Sequence, residues 1–266
     1  MREEDVVPVI ELVLADEPHP SAPKILRNRF THPLTTDPQG AWVAEDEQGI
    51  AGCGFAFLRE GVWILSQLAV RLDVQSAGIG SQLLKRTWEY GADAKAHLIA
   101  SSTDTRALRA YARLGLDAHP CFRADGVPQG VVAPLGIREG DATDIAFTRE
   151  VDRAVRGAAH GPDIAVLLAS DQQLLVSDRG YAIVSEKGDL RLLAAHDEDA
   201  ARALLRAVLS RAGERSIAVN WLTGRQQWAV QELLAARLTL SSDTGALFVA
   251  GDVGPLHPYL PSGAYL

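Results

Sequence analysis

Apolar positions along this chain change period many times, and each change marks an element boundary. Residues 5–15 carry apolar residues at helical spacing after an acidic start, which predicts a helix. Residues 41–45 and 50–58 read as strands hinged at Asp46–Gly49, and 62–70 as a further strand. A helix is predicted over 79–91, with Ile79, Leu83, Leu84 and Trp88 on or near one face. Next come a strand over 97–102, a helix over 104–114 opened by Asp104 and closed by Gly115, and a strand around 118–124. Beyond these, strands are expected at 131–137, 164–169, 172–177, 180–185, 189–195, 215–220 and 246–250, with helices at 142–157, 197–212 and 224–236.

Written out this way, the order repeats. MREEDVVPVIELV resembles IREGDATDIAFTREV at 137–151, and GFAFLREGVWILSQLAV (54–70) resembles GYAIVSEKGDLRLLAAH (180–196), matching Gly54 with Gly180 and Val70 with His196. ALRAYARLGL (107–116) aligns with AVQELLAARL (229–238). The chain therefore reads as two copies of one α/β unit, 1–125 and 131–266, joined at the turn-rich ADGVPQG. A strand-like VVAPLG precedes IREGD while nothing precedes MREED, so the first copy is expected to lack its opening strand, or the native start to lie upstream. The first copy also carries a long Pro- and His-containing stretch, 16–40, of a size usually functional or disordered.

At 266 residues there is room for two modest domains, and 47% hydrophobic against 23% charged residues is ordinary globular usage. No apolar run is long enough to span a membrane, and the acidic N-terminus is unlike a presequence, so a cytoplasmic protein is expected. A net charge of −8 argues against nucleic-acid and membrane-surface partners. Cys53 and Cys121 make neither a disulfide framework nor a metal cluster, and no metal site is expected. Both read as small buried apolar residues.

Chemistry concentrates in VRLDVQSAGIGSQLL (70–84). Gly78 and Gly80 sit between a strand and a helix, where backbone amides and the helix dipole favour a phosphate. A P-loop is rejected, because no Lys follows Gly80 at the required spacing. A dinucleotide fingerprint matches in part: Leu83 stands where a third glycine or alanine belongs. A turn without any ligand is the plain alternative.

A third reading rests on two motifs. LAVRLDVQSAGIGSQLL resembles motif A of the GNAT superfamily of N-acyltransferases, [Q/R]-x-x-G-x-[G/A], with Gln75, Gly78 and Gly80 in the defining positions. DTRALRAYARLGL resembles that family's next motif, N-x-x-A-x-x-x-Y-x-x-x-G-[F/L], with Asp104 where Asn is usual and Ala107, Tyr111, Gly115 and Leu116 in place. The likeness is strong over 42–116 and weaker over 1–41. It implies an α/β (α+β) fold of two GNAT-like domains, each a mixed, mostly antiparallel sheet flanked by helices. It further implies acyl-CoA, as acetyl-CoA, for the co-substrate, its pyrophosphate on the amides of Gln75, Ser76, Ala77, Gly78, Ile79, Gly80 and Ser81. In that fold the 62–70 strand splays from the 97–102 strand, and the pantetheine arm pairs with Leu68, Ala69 and Val70. Asp104 and Ala107 belong to the cofactor-binding motif, and Tyr111 is the expected acid for the departing thiolate. The acceptor is expected to be a primary amine of a small molecule or peptide, attacking directly, in a monomer or homodimer. The alternative is a non-catalytic acyl-CoA-binding or regulatory protein.

The second copy loses this chemistry. Between Val70 and Leu83 the first copy has five more residues than the second has between His196 and Leu204, and those residues are the glycine turn. HDEDAA replaces it, Leu233 matches Tyr111, and Arg237 matches Gly115, so a degenerate domain is expected. A general base is open: Ser66 and Gln67 occupy the 62–70 strand, Glu60 and Asp73 lie near its ends, and His19 and His32 lie in the long stretch. Trp42 and Trp63 read as core or cleft walls, and the tail GPLHPYLPSGAYL as a segment that docks back on the protein.

Overall fold

Near-continuous burial of one strand organises the first of two compact units, Met1–Lys95, in the computed structural model, which describes residues 1–16 and 23–266. The unit holds α1 (Val6–Asp16), α2 (Pro23–Thr36), β1 (Ala41–Asp46), β2 (Gly49–Arg59), β3 (Val62–Val70) and α3 (Ile79–Tyr90). β1, β2 and β3 form an antiparallel sheet with β2 in the middle. Successive side chains of β2 point to opposite faces. Cys53 and Phe55 join the core built by Val6, Val9, Leu26 and Phe30 of α1 and α2. On the other face a Cβ at Gly52 would meet Leu83 and Ile79 at 3.0–3.2 Å, so the bare backbone there lets α3 pack close. Full burial of Phe30 and Phe55, with ring centroids 5.6 Å apart, stabilises by about 1.5–3 kcal/mol each.

Asp37 ties these elements together. It is 1% exposed, and its carboxylate accepts from the Leu58 amide at 2.9 Å, from the Arg59 guanidinium at 2.9 and 3.0 Å, and from the Tyr90 hydroxyl at 2.9 Å. Burial and then the Asp37 charge push the Tyr90 hydroxyl up to about 12, so it remains a donor.

The second unit, Ala96–Leu266, begins with β4 (Ala96–Ser101), α4 (Thr105–Arg113), β5 (Asp117–Gly126) and the two-residue β6 (Arg138–Glu139). Then come α5 (Ile145–Arg156), α6 (Pro162–Ala169), β7 (Gln172–Ser177), β8 (Gly180–Ser185) and β9 (Leu190–Ala195). α7 (Glu198–Arg211), β10 (Ile217–Leu222), α8 (Gln227–Ala235), β11 (Thr239–Gly251) and β12 (Tyr259–Leu260) complete the chain. These ladders are antiparallel: β11 lies between β4 and β5, β5 pairs with β10, and a second sheet runs β12-β9-β8-β7-β6. The sequence repeat parts near 125–131 and the compact units at Lys95/Ala96, because β11, from the second repeat, is hydrogen-bonded between β4 and β5 of the first.

Three expectations fail. Within the stretch 16–40, read as a long loop, residues 23–36 form α2 around an internal Pro33. Residues 164–169 belong to α6, a helix begun by Gly161 and by Pro162 at its first position, where the missing N–H costs nothing. Residues 131–137 form no strand, and the two-residue β6 follows them at Arg138–Glu139. As expected, no opening strand comes from the first residues, of which 3–5 form a 3-10 turn.

Asp37→Ala should lower unfolding stability by about 3–5 kcal/mol in urea titration, because the buried Arg59 charge loses the Asp37 carboxylate.

Candidate functional site

In the first unit the site starts with a bulge. Phe55 pairs with Gln67 and Ala56 with Leu65, leaving Ser66 as the extra residue of β3. Arg29 of α2 clamps this bulge, donating to the Ser66 carbonyl at 3.1 Å and to the Gln67 side chain at 2.7 Å. Neither the bulge nor Arg29 stands out in the sequence, since the helix that carries Arg29 is obscured by Pro33.

Past Val70 the chain enters a 3-10 turn at Leu72–Val74 and then α3. Arg71 anchors the turn on Asp73 at 2.7 Å and on Asp46 at 2.5 Å. Gln75 donates to the Val70 carbonyl at 3.0 Å, holding the turn against the strand end. Ser76, Ala77, Gly78 and Ser81 are exposed, while Ile79 and Gly80 are half-buried. Gly78, the N-cap of α3, has φ +88°, a left-handed conformation that only glycine adopts freely, and a Cβ there would meet open space. It offers no capping side chain, so the first-turn amides of α3 point outward with the helix dipole behind them. That is the physical form of an anion site. Leu68 and Val70 are half-buried and Ala69 is buried.

The second unit carries the other motif. Asp104 caps α4, accepting from the Arg106 amide at 2.8 Å, and Arg106 also pairs with its carboxylate at 2.8 Å. Ala107 is half-buried one turn in. Tyr111 is 5% exposed and packs edge-on against Phe248 of β11, ring centroids 5.5 Å apart. Burial, reinforced by Asp104, raises its phenol, which therefore stays protonated and able to donate. Leu116, the last motif position, is buried.

The general-base candidates fare unequally. Glu60 sits in the two-residue turn between β2 and β3, at the opposite end of β3 from Leu68–Val70. Asp73 is held below the ordinary carboxylate range by its hydrogen bond from Arg71, which makes it a poor proton acceptor. His32 is 4% exposed, its ring 5.5 Å from Phe57. His19 lies outside the described residues. Trp63 is a core residue donating to the Thr87 carbonyl at 2.8 Å, whereas Trp42 is 37% exposed beneath Arg86. Cys53 and Cys121 are both buried, and burial lifts the thiols to about 12 and about 11. Among the described residues no cluster of His, Cys, Asp or Glu could hold a metal ion, and no helix is long and apolar enough to cross a membrane.

The corresponding helix start in the second repeat is closed. α7 is capped by Asp197, whose carboxylate accepts from the Ala200 amide at 2.9 Å and from Arg179. Glu198 adds a second carboxylate to that first turn.

Comparison with known proteins points the same way. Residues 37–115 match the acetyltransferase (GNAT) domain family. A candidate acetyltransferase from Pyrococcus horikoshii superposes with a TM-score of 0.81 at 15% identity, over 100% of this chain and 93% of that one. A GCN5-related N-acetyltransferase from Sphaerobacter thermophilus gives 0.56 at 18% identity, covering 94% of each chain. A tandem GNAT protein from the clavulanic acid biosynthesis pathway gives 0.56 at 15%, over 93% of this chain and 95% of that one. These three establish the fold. No curated protein matches the sequence.

Asp104→Ala should cost about 1 kcal/mol by removing the α4 cap, and Asp104→Asn only a few tenths. Arg106 lowers the Asp104 carboxyl below its unfolded value, so this contribution is complete above the ordinary carboxylate range and is lost as acid protonates the folded form. Denaturant titrations of both variants at neutral and acid pH check the sign: the Ala variant should converge on the parent in acid.

Proposed function

We propose that this chain, whose residues 37–115 match the acetyltransferase (GNAT) domain family, is a member of that superfamily and moves an acetyl group from acetyl-CoA to a primary amine of a small molecule or peptide. The observation that carries the reading is the turn ahead of α3: Gly78 at φ +88° with open space beside it, and outward amides without a side-chain cap. A pyrophosphate suits such a turn, because successive amides and a helix dipole neutralise it without needing a cationic side chain. Acyl-CoA supplies an activated thioester, from which an amine can take the acyl group directly.

The residues divide the work. Gln75 through Ser81 hold the pyrophosphate, with Gln75 fixing the turn to β3 by its bond to Val70. Backbone groups of Leu68, Ala69 and Val70 pair with the pantetheine arm, and an amide at this end of β3 polarises the thioester carbonyl. The bulge at Ser66, clamped by Arg29, sets the direction of those backbone groups. Asp104 and Ala107 fix the start of α4, which carries Tyr111. A protonated phenol donates to the sulfur and then gives its proton to the departing thiolate, whose conjugate thiol has an ordinary pKa of about 8.5.

Two experiments test this. Calorimetry with acetyl-CoA should give one site per chain, and Gly78→Asp, which puts a carboxylate where the pyrophosphate sits, should abolish that binding. Two equivalent sites, or intact binding in the variant, would refute the assignment. Tyr111→Phe retains the ring that packs on Phe248 and removes only the donor. It should leave acetyl-CoA affinity and melting temperature unchanged while lowering kcat by about 10²-fold. An unaltered kcat with chemistry rate-limiting would make Tyr111 a core aromatic and favour a non-catalytic acyl-CoA-binding protein.

A further inference from the structure

The bulges give the two repeats a common register. In β9, as in β3, one extra residue interrupts the ladder: Ile183 pairs with Leu192 and Val184 with Leu190, leaving Arg191 where Ser66 stands in β3. Counting from the bulges, Leu193, Ala194 and Ala195 correspond to Leu68, Ala69 and Val70. This moves the match of Val70 from His196, suggested by the sequence, to Ala195. The gap in the second repeat is filled: Tyr259 of β12 pairs with Ala194 and Leu260 with Leu193, and the Ala195 amide donates to the Pro258 carbonyl at 3.3 Å.

We infer that the tail 252–266 places a resident strand, β12, in the slot where the second repeat would otherwise hold an acyl-CoA arm, anchored there by Tyr259. This inference rests on the acyl-CoA reading of the first repeat, while the pairing of β12 with β9 stands without it. The tail takes the same three backbone positions that the first repeat offers to the arm, and it seals them. Tyr259 is 2% exposed, Leu260 1%, Tyr265 4% and Leu266 1%, which is core burial for a C-terminal segment. Its approach is scripted by backbone bonds: the Gly254 amide donates to Arg156 at 3.0 Å, the Leu256 amide to Val155 at 2.8 Å, and Gln226 donates to the Leu256 carbonyl at 2.8 Å.

Tyr259 ends on a buried polar chain that has no other evident use. Asp152 lies 2.8 Å from His160 Nδ1, so this ring nitrogen carries the proton and donates to the carboxylate. The Tyr259 hydroxyl lies 3.3 Å from His160 Nε2. Tyr181 donates to the other Asp152 oxygen, and the His160 amide to the first at 3.0 Å. Asp152 and His160 are fully buried, so the second ring nitrogen also needs a hydrogen-bond partner, and the Tyr259 hydroxyl of the tail supplies it.

Hydrogen exchange on the full-length chain, with and without coenzyme A, tests the inference. Amides 193–195, 259 and 260 should exchange together, only through large-scale opening, and coenzyme A should leave them unchanged while slowing 76–81. Tyr259→Ala should release 193–195 into fast local exchange. Tyr259→Phe, which keeps the ring and loses one buried hydrogen bond, should speed exchange at these positions by about five- to tenfold and leave coenzyme A at one equivalent per chain. Coenzyme A altering exchange at 193–195 or 259–260, a second bound equivalent, or slow exchange at 193–195 in Tyr259→Ala would overturn it. Slow tail amides with no protection at 76–81 would support the tail's hold on β9 and count instead against the acyl-CoA reading.

Discussion

The position of β11 constrains the whole second unit. Phe248 pairs with Ile99 on one side and Ala118 on the other, so a strand from the end of the chain separates two strands that are near neighbours in sequence. Left without it, β4 and β5 would each present a row of unpaired backbone groups, a liability that costs free energy and invites aggregation. β5 meanwhile runs on to β10, a strand of the second repeat. The repeats are thus interleaved through their strands, and α4 with Tyr111 is buttressed by Phe248 from the far end of the chain. The second repeat thus supports the motif helix of the first, although its own helix start is closed by an acidic cap.

What the sequence discloses follows from how local each cause is. Strand 62–70 and helix 79–90 are legible to within a residue because their periods are clean and glycines bound them. DIAVLLA at 163–169 is a short continuous apolar run, which period alone assigns to a buried strand or a buried helix equally. The deciding signal, Gly161-Pro162, lies just ahead of it. α2 is harder: Pro33 lies inside the helix, and a proline there reads as a stop.

The site divides along the same line. Gly78, Gly80, Asp104 and Tyr111 stand in motifs whose spacing is set within a few turns of chain, so they can be read directly. Ser66 as a bulge cannot, because a bulge is a property of two strands; it emerges only once Phe55 and Gln67 are known to pair. Arg29 reaching Gln67, Asp37 reaching Tyr90, and Tyr259 reaching His160 span 38, 53 and 99 residues, and no local pattern announces them. Tertiary partners of this kind are chosen by packing rather than by propensity.

The two helix starts show how one architecture separates into an open and a sealed form. Each follows a bulged strand, β3 or β9. Before α3 the capping position is a glycine, so the first-turn amides have no acceptor of their own and an external anion gains from meeting them. Before α7 it is Asp197, whose carboxyl is held low first by the Ala200 amide and then by Arg179. That charge completes the helix from within, and an incoming phosphate would meet repulsion instead of unsatisfied donors. Once the anion is excluded at one end of the slot, the edge of β9 still needs backbone partners, and an extended apolar segment provides them without carrying charge. A shorter turn, an acidic cap and a docked tail therefore act together: the cap closes the helix start to anions and the tail keeps the sheet edge satisfied.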